Sequence, residues 1–395
     1  MITINQQPQE LTPAYNPMRY HVSSNNTAQD NFKFVCDIYI DGTYVRREKR
    51  SKHPDFNACV FDVHRIVESF VTQTLPMDLN FLDTALTRDN DWCLVQCKFG
   101  EEYGLSSSGV TVYPDLSNSN SINAFNGCIN QFEFIDWDSD DYNINSSGSM
   151  FLMTLPDKTA PFSEGIRGNN ILRNQNYFAW WYSSNNGKTD KTVIVTYDKN
   201  KNFIEEYQID NQFDSGAGSE RFNILPIGYN VNNMDAGGFV TGTPPVYTDD
   251  VKYAKIYMAD SLNVITSETI WLTVLDKCSA YETFEVHWID RLGAINTFVF
   301  DNIHTENATV ESKEYRMQPG TMQSTSFDIS KADRGAQNYF TSSKSELNLK
   351  SDWITQNEYD WLKYLTESPQ VWIRVNGEYI AMNVVSKAYE SKKTV

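Results

Sequence analysis

This chain has little charge and few of the residues that perform chemistry. Only 21 per cent of its 395 residues are charged, and five are histidine. His21, His53, His64, His287 and His304 are scattered, and no His-Glu-x-x-His pair occurs. That removes the commonest zinc-hydrolase spacing. His287 falls on the polar face of a predicted strand, so a strand-surface or interface position is expected. The six cysteines, Cys36, Cys59, Cys93, Cys97, Cys128 and Cys278, include no Cys-x-x-Cys pair. Buried free thiols are expected rather than a zinc site, as in a reducing cytosol. Gly-x-Ser-x-Gly, the Walker loop and the dinucleotide fingerprint are all missing. No apolar window approaches a membrane-spanning length. The first residues lack the basic-then-apolar layout of a signal peptide. The sequence thus predicts no enzymatic activity, no cofactor and no membrane insertion.

Basic residues are also scarce, at 33 against 51 acidic ones, for a net charge of −18. Phosphate backbones are held by Lys and Arg displacing counterions, so a nucleic-acid grip is not expected. The one dense basic run is Arg46, Arg47, Lys49, Arg50 and Lys52. It follows a hairpin and reads as a solvated rim.

Acidic residues offer one weak metal candidate. Asp136, Asp138, Asp140 and Asp141 present oxygens at alternate positions, the pattern a calcium loop uses. Asp141 stands where such a loop needs Gly, and Ser147 where a Glu should close the cage. An exposed acidic loop is the plainer expectation. Glu101-Glu102 and Glu205-Glu206 are adjacent, so in strands they point to opposite faces and cannot act as an acid–base pair.

What the chain does have is aromatics, at 13 per cent, with 22 Tyr and 22 Phe. These favour strands and packed interfaces. Residues 32 to 45 predict a hairpin around Asp41-Gly42, because both central positions of such a turn need φ above zero. Residues 192 to 209 predict a second hairpin. In the third, 284 to 300, Phe284, Val286 and Trp288 share one face, and Asp290 to Gly293 form the turn. The cluster Tyr177, Phe178, Trp180, Trp181 and Tyr182 fits a strand entering a sandwich core or an oligomer interface; a sugar-stacking platform is the functional alternative.

Helical spacing at Val63, Ile66, Val67, Phe70 and Val71 predicts a short amphipathic helix capped by Asp62. Near the carboxyl end, Thr355 and Glu358 form a capping box and Ser368-Pro369 stops the helix. A hairpin around Asn376-Gly377 follows. The expected fold is mainly β, a multi-domain β-sandwich architecture. Residues 1–20 read as an extended arm and 21–145 as a β-rich domain. Residues 146–310 read as a central sandwich, and 311–395 as a helix–hairpin unit, free or packed on it. The arm contains Pro8, Pro13 and Pro17 but also apolar Leu11, Tyr15, Met18 and Tyr20. It is expected to dock on a neighbouring subunit or on another protein of the same assembly, and to be dispensable for folding. With Trp180 and Trp181, those four are the interface candidates.

Three segments resemble tail-associated virion structural proteins of crAss-like and related Bacteroidetes phages. LTPAYNP leading to FKFVCDIYIDGTYV and FDVHRIVESFV is similar to their amino-terminal pattern. YETFEVHWIDRLGAINTFVF, with its Trp-x-x-Arg-Leu-Gly turn, resembles their central hairpin, and LKSDWITQNEYDWLKYLTESPQVWI their carboxyl helix–hairpin. Ala294 and Ile295 depart from the expected second Gly and aromatic. The resemblance implies a non-enzymatic component of the virion tail or neck, assembled in the bacterial cytoplasm. Its expected partners are copies of itself in a ring and other tail proteins, with genome DNA at most passing through. A host-glycan-binding or depolymerase tail protein is the alternative expectation; it would need two carboxylates at catalytic separation.

Overall fold

A computed structural model gives the structure of the chain. It describes all residues except 73–85, 88–90, 106–108, 145–147, 159–165, 174, 176, 185–187, 211–220, 228–239, 242–248, 276–280, 333–334, 376–377 and 386–395. The fold is mainly β, built from several sheets, as the alternating pattern predicts. No helix among the described residues is long and apolar enough to cross a membrane.

Near the amino terminus two sheets enclose one core. The larger contains Lys33–Ile40 paired with Thr43–Arg50, and the predicted Asp41-Gly42 turn adopts φ of 50° and 75°. Alternate residues Phe34, Cys36 and Ile38 point inward and are buried, together with Cys97 and Phe99 of Trp92–Tyr103. The smaller sheet places Arg19–Ser24 between Ile2–Gln6 and Ala58–Asp62.

The proposed amino-terminal arm is therefore part of the domain. Ile2–Gln6 pairs with Arg19–Ser24, and Leu11–Pro13 runs parallel to Ile122–Phe125. Leu11, Met18 and Tyr20 are fully buried in their own chain and do not serve as intersubunit anchors. The prolines punctuate short strands, and Pro13 ends an edge strand, where a missing N–H is tolerated. The expected helix after residue 62 is a single turn, α1 (His64–Val67), whose N-cap residue is Val63 without a side-chain cap. Asp62 instead accepts from the Met18 amide at 3.0 Å and contacts Nδ1 of His64 at 2.7 Å.

The central region holds a seven-stranded sheet, including Lys191–Tyr197 paired with Phe203–Asp210 as predicted. It shares a core with Tyr177–Ser183, in which every residue is buried. Trp180 and Trp181 are thus core residues and not interface anchors, and the glycan platform is corrected with them. Both faces of this strand are covered.

The predicted domain boundaries at 145 and 310 differ from the contacts. One compact unit comprises Met1–Lys277, Glu285–Val299 and Ile354–Val395, and a second comprises Cys278–Phe284 and Phe300–Trp353. The carboxyl helix α3 (Gln356–Glu367) and strand Val371–Val375 belong to the first unit because Val371–Val375 pairs with Phe284–Ile289. The capping box is present: Thr355 accepts from the Glu358 amide at 3.2 Å and its own amide donates to the Glu358 carboxylate at 2.8 Å. Val371–Val375 and Glu378–Met382 are paired up to Val375↔Glu378. The Asn376-Gly377 turn itself lies outside the described residues.

The second unit is dominated by a feature the sequence did not announce. Thr305–Arg316 and Ala336–Asn348 form a two-stranded ribbon, with a bulge at Lys313/Glu314. At the usual rise per residue, strands of this size run about 40 Å. All twelve residues of Thr305–Arg316 are exposed.

Candidate functional site

The 284–300 hairpin, expected to be an inert aromatic element, has a buried and tightly held polar group at its turn. Asp290 follows Phe284–Ile289, and Gly293 closes the turn with φ of 78°. A Cβ on Gly293 would stand 2.2 Å from the Asn126 carbonyl oxygen, so close docking of the turn on residues 126–128 requires glycine. The Cys128 amide donates to the Arg291 carbonyl at 2.9 Å across this contact.

Asp290 is buried and accepts five hydrogen bonds. Its Oδ1 takes the amides of Leu292 and Ala294 at 2.8 and 3.0 Å. Its Oδ2 takes the Thr154 amide, the Thr154 hydroxyl and Asn296 Nδ2 at 2.7, 2.8 and 2.7 Å. Burial pushes the carboxyl up to about 6, while the donors from Thr154, Ala294 and Leu292 pull the other way. With this many fixed donors, Asp290 is a structural knot rather than a base aimed at a substrate.

Arg291 links two helices. Its guanidinium forms an ion pair with Glu133 of α2 (Gln131–Ile135) and lies 4.9 Å from the ring centre of Tyr364 on α3. Two cavities flank it. One, of about 360 Å³, is lined by Tyr142, Met153, Arg167, Asp360 and Trp361. Arg167 is held there by Glu268 at 2.7 Å, whose carboxyl is raised by burial and lowered by that guanidinium. The other, of about 530 Å³, is mainly apolar and lined by Tyr15, Cys128, Ile129, Tyr364, Glu367 and Pro369. Tyr15, half-exposed, is the one residue of the expected arm that reaches this site.

The remaining sequence candidates do not converge here. Asp136 closes α2 as its C-cap residue, and Asp138 accepts from the Asp140 amide at 3.0 Å, capping a short 3₁₀ turn. Among the described residues no cluster of His, Cys, Asp or Glu is arranged to hold a metal. Four of the five residues of the basic run, Arg46, Arg47, Lys49 and Arg50, lie on an edge strand, and two of these are held by carboxylates. Arg47 binds Asp37 through two hydrogen bonds at 2.6 and 2.7 Å, and Lys49 pairs with Glu102. His287 overturns its expectation: it is fully buried, 3.7 Å from Glu285, with Arg374 3.2 Å from the same carboxylate. Burial depresses its pKa, and Glu285 opposes that effect. Trp372 stands directly opposite His287 in the ladder, and the Tyr379 ring meets it edge-on at 5.1 Å.

Sequence reasoning missed Asp290, Arg291, Cys128 and Tyr364. An Asp-Arg pair inside an apolar hairpin turn was the only local signal. No protein-family model matches the chain, and no curated protein matches it.

Proposed function

We propose that this protein is a non-enzymatic structural subunit of a phage tail or neck, working as a homo-oligomeric ring within the virion. The observation that carries the assembly role is the ribbon of the second unit. A lone two-stranded hairpin is marginal in water. Here Val310, Tyr315, Tyr339 and Phe340 are all exposed on it, and among the described residues no third strand pairs with either edge. Burial against a neighbouring subunit relieves both costs: it covers the apolar atoms and pairs the open edges. The virion setting rests on the resemblance of the three sequence segments. The acidic balance suits a conduit through which DNA slides without being held. The glycan-binding alternative loses its footing, since the aromatic segment that motivated it is buried.

Native mass spectrometry of the purified protein tests this reading. A discrete oligomer is expected, together with its loss when residues 306–347 are replaced by a short Gly-Ser turn. A wild-type protein that stays monomeric at micromolar concentration would refute it, as would an oligomer indifferent to removal of the ribbon.

A further inference from the structure

The two strands of the second unit's ribbon have unlike edges. On Ala336–Asn348 the ladder steps from Phe340 to Asn338, so Tyr339 is an extra, bulged residue. A bulge of that kind blunts an edge against further pairing. Thr305–Arg316 runs without interruption, all of it is exposed, and among the described residues no third strand pairs with it. Two opposite charges, Glu311 and Lys313, stand on one face of this strand. Their own ladder gives them no ionic partner among the described residues. Glu311 faces Ser342, and Lys313 faces Phe340, with its ammonium 5.7 Å from the ring centre. Lys344 and Glu346 of the other strand, by contrast, bind each other at 2.6 Å.

We infer that the Thr305–Arg316 edges of two copies pair antiparallel about Ser312, joining two ribbons into a four-stranded sheet. This rests on the homo-oligomer reading above and identifies one contact within it. The backbone groups that point away from a ribbon lie on alternate residues. One edge therefore pairs with a copy of itself only when both members of each pair are odd or both even, and the two-fold axis passes through a residue. Centred on Glu311, Lys313 or Glu314, that residue meets its own charge. Centred on Val310, Glu306 meets Glu314, and centred on Thr309, neither Glu311 nor Lys313 meets a charge. Centred on Ser312, Glu311 of each copy stands opposite Lys313 of the other. Thr309 then stands opposite Tyr315, an aromatic paired with a β-branched residue. Glu314 and Arg316 face the uncharged Val310 and Ala308. The contact is isologous, so it joins copies two by two, and a ring that contains it uses a further contact between pairs.

Charge reversal in the full chain tests this contact. Glu311→Lys and Lys313→Glu should each weaken self-association by about 10-fold or more at low ionic strength, because each sets like charges opposite one another twice. Mixing the two single variants should restore association, since every pair is then of opposite charge, and so should the double variant. Circular dichroism should be the same for all of them. Ser312→Cys should give a disulfide-linked dimer on non-reducing gels, because the two residues meet at the axis with Cα atoms about 4.5–5.5 Å apart. Ala308→Cys, which faces Arg316, should add nothing to the wild-type background. Oligomers indifferent to the charge reversals, not rescued by mixing, or without a cross-link at residue 312 would overturn this contact and leave the oligomer reading standing. A wild-type protein that remains monomeric would remove both.

Discussion

Thr154 donates both its backbone amide and its hydroxyl to one oxygen of Asp290, at 2.7 and 2.8 Å, across 136 residues of sequence. The same hydroxyl accepts from Asn296 Nδ2 at 2.9 Å, and Trp361 of α3 donates to the Thr154 carbonyl at 3.2 Å. One residue outside any strand thus fastens the aromatic hairpin to the carboxyl helix.

Asp290→Asn should be damaging even though it removes a buried charge. Both carboxylate oxygens face only donors, so either orientation of the amide sets an NH₂ against at least two N–H or O–H groups. Buried donors left unmatched cost about 1–3 kcal/mol each. Urea unfolding should show a loss of roughly 2–4 kcal/mol. A midpoint equal to that of the wild type would mean the knot is not formed.

Asp290 and His287 should pull stability in opposite directions as pH falls. The folded-state pKa of Asp290 is raised from 3.8 to about 6. By burial alone its contribution is greatest below about 4 and is lost as pH rises through about 6. His287 is depressed below 6.5 by burial. Below pH 6.5 the unfolded chain takes up a proton that the folded chain resists, so stability falls as pH drops. The groups facing His287 are Glu285, Arg374 and Tyr379. Thermal melts from pH 7 to 4 should show His287→Gln gaining stability relative to wild type at the acid end. A constant offset between the two proteins would contradict this assignment.

Thr355→Ala removes the cap of α3 and half of its reciprocal box. The expected cost is about 1 kcal/mol, concentrated in the first turn. Amide exchange at Glu358 and Tyr359 should accelerate, while exchange in Lys33–Ile40 should not change.

Removing residues 1–20 should unfold the amino-terminal domain rather than spare it. Met18→Ala alone should cost about 2–5 kcal/mol, as for other buried large-to-small changes. Met18 is fully buried, and its amide donates to Asp62. A truncated protein with wild-type melting would restore the picture of a dispensable arm.

The sequence by itself determined what depends on neighbours a few residues apart. Asp41-Gly42 must turn because its dihedrals demand it, and Thr355 with Glu358 must start a helix because each satisfies the other's amide. The 284–300 and 192–209 hairpins were legible from alternation, which encodes a strand's two faces. Alternation could not say whether the second face meets water or another layer. His287 looked like a surface histidine, and Trp180 fitted a sandwich core or an interface; packing buries both and leaves Trp180 in the core. Leu11 and Tyr20 were readable as apolar, but only the pairing of Leu11–Pro13 with Ile122–Phe125 and of Ile2–Gln6 with Arg19–Ser24 made the first twenty residues part of the domain. The long ribbon escaped notice because its strands face solvent and carry no apolar alternation. The Asp290 knot and the Arg291 cavities are decided wholly by tertiary structure, since Thr154, Glu133 and Tyr364 reach them only when distant segments pack together.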